Sequence, residues 1–149
     1  DEIMMKQDRE KWIKEQTVSS FQPGEMQPER DHDFKGEKTR TGELNGRKFR
    51  KAVNGGWFSF EMEVRPDISQ DLLVSCWGNL GDIYKFNVEI DGISIATVII
   101  HWWGNTFVDK LYHIPFELTE NKKKITVSFK ALDNRSVAGP IFNCKIIKR

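Results

Sequence analysis

The fold class is decided by Tyr84-Lys85-Phe86-Asn87-Val88-Glu89-Ile90-Asp91-Gly92-Ile93-Ser94-Ile95-Ala96-Thr97-Val98-Ile99-Ile100. Tyr84, Phe86, Val88 and Ile90 alternate with Lys85, Asn87, Glu89 and Asp91. That is the two-residue period of a strand with one face on a core. Asp91-Gly92 tolerates the positive φ that a two-residue hairpin turn demands. The return segment is richer in β-branched and apolar residues, so it reads as a central strand covered on both faces.

Outward from this hairpin the same period recurs. Phe58, Phe60, Met62 and Val64 face inward while Ser59, Glu61 and Glu63 face outward, until Arg65-Pro66-Asp67 ends the run. Leu72, Val74 and Cys76 share one face of the next strand, and residues 78–82 form a turn. Further strands are expected at 107–114, at 125–129 after the turn Asn121-Lys122-Lys123-Lys124, and at 141–147. About eight strands separated by turns, with no helix–strand alternation, predict an all-β chain. The expected architecture is an antiparallel β-sandwich of jelly-roll, galactose-binding-like type. Residues 1–16 favour helix, so residues 1–20 are expected to be a helical connector and 21–149 the sandwich domain. The polar segment 29–48 lacks clear periodicity and is expected as an irregular wall over one edge.

Composition limits the functional classes. The 149 residues suit one domain with a core, and 38% are hydrophobic while 30% are charged, as a thin two-layer β domain allows. Lys and Arg total 23 against 22 Asp and Glu, a net charge of +1 without the basic excess of a nucleic-acid binder. No apolar run is long enough to span a bilayer, so no membrane partner is expected. Cys76 and Cys144 read as small buried hydrophobes, a disulfide being the alternative if their strands are neighbours.

Glu61 and Glu63 lie at i and i+2, a separation compatible with glycosidase carboxylates, but alternate with core residues and read as a solvated face. Asp31-His32-Asp33 offers oxygen and imidazole donors, and a structural calcium ion is one reading. A local hydrogen-bond cluster is the simpler one, and no cofactor is expected. No nucleophile motif or phosphate-binding loop is present.

The aromatics point elsewhere. Sugar rings present C–H faces that stack on indole, while neighbouring polar groups bond the hydroxyls. Trp102 and Trp103 are adjacent, so extended backbone would aim them oppositely, leaving one exposed beside Gly104-Asn105. Trp57, after Gly55-Gly56, could approach Glu29, Asp31 and His32. Core or interface packing is the competing reading of each indole.

The ordered set from Pro23-Gly24-Glu25-Met26-Gln27-Pro28-Glu29-Arg30-Asp31-His32 through Thr41-Gly42-Glu43, Gly46-Arg47-Lys48-Phe49-Arg50 and Gly55-Gly56-Trp57-Phe58-Ser59-Phe60 continues down the chain. Trp77-Gly78, Val88-Glu89-Ile90-Asp91-Gly92, Tyr112-His113-Ile114-Pro115 and Ala138-Gly139 complete it. Together these resemble a C-terminal accessory domain of β-L-arabinofuranosidase-type bacterial glycoside hydrolases. Where that family has Tyr before Trp-Gly, this chain has Cys76. The resemblance implies a non-catalytic sandwich behind a helical-barrel catalytic domain of the same parent chain. It also implies periplasmic or extracellular export, with an oligosaccharide or plant polysaccharide as ligand. Packing against the catalytic domain without any ligand is the alternative role.

Overall fold

The period-two segments pair into two antiparallel sheets. The computed structural model describes residues 2–81, 83–101 and 103–149. In chain order the elements are α1 (Glu2–Gln16), β1 (Thr17–Phe21), α2 (Met26–Asp31), β2 (Lys35–Leu44), β3 (Arg47–Glu63), β4 (Gln70–Trp77) and β5 (Lys85–Ile90). They continue with β6 (Ile93–Ile99), β7 (Phe107–Ile114), a 3-10 turn (Phe116–Leu118), β8 (Lys124–Ala131), β9 (Ala138–Ile141) and β10 (Asn143–Lys148). One sheet runs β1-β10-β4-β7, and the other runs β2-β3-β8-β5-β6 with β9 paired to β3. The fold is the antiparallel sandwich expected from the periodicity.

The inward residues of both sheets meet in one core. Phe58, Phe60, Phe86 and Phe129 are all fully buried, with Phe129 between 5.4 and 6.0 Å from the other three rings. Phe21 of β1 stacks on Phe60 of β3 across the gap, centroids 4.0 Å apart. Asp91 and Gly92 take positive φ as the hairpin requires, with β5 paired to β6 from Lys85↔Ile99 to Ile90↔Ile93.

Three expectations change. The return strand β6 is an edge strand, paired only with β5, and Ile93 and Ile99 are about half exposed. Its β-branched composition reports strand propensity, whereas position in the sheet is set by β8 occupying the other side of β5. The polar segment 29–48 is regular, forming the second half of α2 and the long edge strand β2. An edge strand exposed on its outer side needs little apolar periodicity. The closing strand is two strands, β9 and β10, with Phe142 between them.

β3 is continuous through a bulge. Its first half pairs with β9 and its second half with β8. Asn54 and Gly55 take positive φ where the partner changes. A Cβ on Gly55 would sit 3.0 Å from the Asn134 Cα and the Asp133 carbonyl, so the loop 132–137 rests directly on the bulge. The Gly55 amide donates to the Ser136 carbonyl at 3.1 Å, which fixes that loop.

An ion pair holds α2 on β3. Arg50 Nε and Nη2 donate to the two Glu29 carboxylate oxygens at 2.6 and 2.7 Å, a bidentate fork. Glu29 also accepts from the Gly24 amide at 3.0 Å, and the guanidinium lies 4.4 Å over the Phe34 ring. Both side chains are largely buried, so removing one partner leaves a stranded charge. Glu29→Ala should therefore lower unfolding stability by about 3 kcal/mol in urea titrations. The Glu29→Ala/Arg50→Ala double variant should lose less than the two single losses combined.

Cys76 and Cys144 are buried, unbridged thiols on the neighbouring strands β4 and β10, and Cys144 lies opposite Val74. Burial pushes the Cys76 thiol up from 9.0 to about 12, with Asp109 adding to the rise. Burial also raises the Cys144 thiol well above 9.0 and lifts the Tyr112 phenol. At pH 8 neither thiol should react with a disulfide reagent until urea is added. Between pH 9 and about 12 the unfolded Cys76 thiol ionises while the folded one keeps its proton, so folding stability falls with rising pH. Lys145, whose ammonium is disfavoured by burial, acts in the opposite sense below 10.5. The expected slope is up to about 1.4 kcal/mol per pH unit for each thiol, and Cys76→Ala should flatten it.

Candidate functional site

Three loops close one end of the sandwich, their described residues being 78–81 with 83–84, 100–101 with 103–106, and 132–137. Their backbones are tied together: the Trp103 amide donates to the Gly78 carbonyl at 2.9 Å, and the Gly78 amide to Thr106 at 2.9 Å. Ile100 donates to Tyr84 at 2.9 Å and Val137 to Ile83 at 2.8 Å. A Cβ on Gly78 would come within 2.6 Å of the Gly104 carbonyl, so only glycine lets the first two loops approach this closely.

Trp103 is partly buried and packs against the core, with Lys110 Nζ 4.5 Å over its ring. Asn105 is exposed, and its side-chain oxygen accepts from Asn79 Nδ2 at 3.2 Å, leaving the Asn105 amino group as a donor. Trp102 lies outside the described residues. An open cleft of about 460 Å³ at the same end is lined by Ile83, Lys85, Asp133, Asn134, Arg135 and Ser136. Asp133 accepts from the Ser136 hydroxyl at 2.8 Å and the Arg135 amide at 2.9 Å. Those bonds, the hydroxyl first, hold its carboxyl below the usual range. Sequence reading missed this cleft, because only the Asp133-x-x-Ser136 turn spacing marks it and its two walls lie far apart in the chain.

Glu29, Asp31 and His32 do not gather around Trp57. Glu29 is committed to Arg50 and Gly24. Asp31 is exposed and accepts from Gln27 Nε2 at 2.9 Å. His32 Nδ1 donates to the Glu61 carbonyl at 2.7 Å, and the His32 carbonyl accepts from the Glu61 amide at 2.7 Å. Trp57 sits four residues away along β3 on the outer face of the six-stranded sheet, opposite Glu37 and Lys130. Four residues of strand separate them by about 13 Å.

At the other end of β3 an open cleft of about 400 Å³ is lined by Val18, Ser19, Asp31, His32, Glu61, Glu63 and Lys124, with Met62 at its floor. Glu61 and Glu63 lie side by side on one strand, and Lys124 stands 3.9 Å from Glu61. Flanking a glycosidic bond requires carboxyl groups on opposite sides of the sugar, which this arrangement does not supply. Among the described residues, no three His, Cys, Asp or Glu side chains converge to hold a metal ion.

The sandwich resembles carbohydrate-binding modules of known structure. A family 35 module from Clostridium thermocellum superposes with a TM-score of 0.60 at 13% identity, covering 88% of this chain and 99% of that one. The C-terminal CBM6 of the laminarinase LamC from Zobellia galactanivorans gives 0.54 at 11% identity, covering 87% and 98%. A family GH115 4-O-methyl-α-glucuronidase specific for decorated arabinogalactans gives 0.60 at 14% identity, and 89% of this chain covers 18% of that enzyme. At these identities the likeness defines the fold alone. No curated protein matches the sequence. Residues 12–147 match the pattern of one sequence family, and the chain accordingly belongs to DUF6805, a family of unknown function.

Proposed function

We propose that this chain is a non-catalytic module that binds glycan at the loop end of the sandwich. The observation that carries the reading is that the loop which bonds the Trp103 amide to Gly78 also joins the Asn79 and Asn105 carboxamides. The cleft of Lys85, Asp133, Asn134 and Arg135 lies at the same end. An indole edge supplies apolar contact for sugar C–H groups, while carboxamides and cations supply directional bonds for hydroxyls. Trp102 joins the site on its sequence position alone. Binding of this kind needs no cofactor.

The ligand is an oligosaccharide or plant polysaccharide. The parent is a glycoside hydrolase of the β-L-arabinofuranosidase type, exported to the periplasm or beyond, whose catalytic domain is the module's partner in the chain. Support comes from the sequence resemblance and from the way a similar sandwich occupies a minor share of a larger glucuronidase chain. Tryptophan fluorescence titrated with arabinose-containing and other plant oligosaccharides should show a saturable change. Trp103→Ala should weaken that binding about tenfold with the circular dichroism spectrum unchanged. Silence across a broad panel would sink the reading.

A second reading, a structural module that packs on the catalytic domain without ligand, is favoured by α1. Its Trp12 is 48% exposed and Met5 68% exposed, large apolar groups on a helix that packs against β10 of the four-stranded sheet. On that reading Trp12→Ala weakens association with a separately expressed catalytic domain, measured by sedimentation. Glycan affinity stays unchanged.

A further inference from the structure

The outer face of the six-stranded sheet is uncovered by either helix: α1 lies over β10 on the opposite sheet, and α2 is tied to the edge by Glu29 and Arg50. Residues directly opposite in an antiparallel ladder share a face, so the registers place side chains in rows across the strands. One row is Glu37, Trp57, Lys130, Asn87 and Thr97, running from β2 through β3, β8 and β5 to β6. The adjacent row is Lys35, Ser59, Ser128 and Glu89. Thr97 Oγ1 donates to Asn87 Oδ1 at 2.7 Å, which orients that carboxamide with its amino group outward as a donor.

We propose that this face is a second glycan-binding surface, in which an extended neutral oligosaccharide lies across the strands along the Glu37–Trp57–Lys130–Asn87–Thr97 row. It rests on the glycan-binding reading of the module but uses none of the loop-end residues. Five strands at about 4.8 Å spacing make a track about 19 Å long, enough for several linked sugars. Trp57, partly buried, is the apolar platform, and the flanking groups are donors and acceptors within reach of ring hydroxyls.

Charge selects the occupant. Along the two rows Lys35 and Lys130 are matched by Glu37 and Glu89, and Trp57, Ser59, Ser128, Asn87 and Thr97 carry no charge. A polyanion would meet Glu37 and Glu89 as well as the two ammonium groups, so the rows suit an uncharged polyhydroxylated chain. A protein partner would want a larger apolar centre than one indole, the exposed Ile93 and Ile99 lying off at the β6 edge.

Separate reporters distinguish the two sites. In ¹⁵N-labelled protein, the indole N–H signals of Trp57 and Trp103 and the side-chain amide of Asn87 are followed during titration. The probes are neutral arabinose, xylose and galactose hexasaccharides. Shifts at Trp57 and Asn87 that persist in Trp103→Ala, and an affinity lowered about tenfold by Lys130→Ala or Asn87→Ala, support the surface. Shifts confined to Trp103 and Asn105 overturn it while leaving the loop-end reading intact. Shifts confined to Trp57 and Asn87 support it and remove the loop-end reading. No shift at either end removes both. Response to polygalacturonate alone, or concentration-dependent shifts without sugar from self-association, also overturns it.

Discussion

The rings of Phe21 and Phe60, stacked at 4.0 Å, join the outermost strand of one sheet to the second strand of the other. Each sheet alone would expose an apolar face that its backbone hydrogen bonds do nothing to hide. Burying those faces against each other is the dominant favourable term in such a fold. The stack extends through His32, whose ring meets Phe21 edge-on at 5.1 Å while its Nδ1 is bonded to β3. Through that edge contact and that bond His32 ties β1 to β3.

The sheet order follows from keeping those faces covered. β3 sits between β2 and β8 and exchanges β8 for β9 at the Asn54-Gly55 bulge, so one strand serves two neighbours on the same side. The bulge also carries the loop 132–137, which forms one wall of the loop-end cleft opposite Ile83 and Lys85. A backbone device needed for core closure thus sets the position of polar groups some distance from the core. The outer face of the same sheet is left to polar alternation, with Trp57 as its one large aromatic platform among the described residues.

Carboxylates divide into two sorts in this structure. Glu29 is inside, forked by Arg50, where it fixes α2. Glu61 and Glu63 are on the solvent-facing side of β3, with Lys124 3.9 Å from Glu61. Neither environment supplies the opposed, water-excluding pair that acid–base cleavage of a glycoside requires. What the molecule does supply is strands bearing an indole and hydrogen-bonding groups, on which the proposed glycan binding rests.

Local pattern alone determined the class and the inward set: Phe58, Phe60, Met62 and Val64 are buried as their alternation requires, and Asp91-Gly92 makes the turn its composition allows. Both cysteines were likewise legible as core, because each follows the apolar phase of its own strand. Tertiary structure alone decided that β6 is an edge, that residues 35–44 form a strand, and that Glu29 meets Arg50 instead of Trp57. It also decided that Asn79 reaches Asn105 and that Trp57, Lys130, Asn87 and Thr97 stand in one row. The reason is physical: side-chain alternation is a property of neighbouring residues, whereas strand order, register and loop contact come from pairings between distant ones.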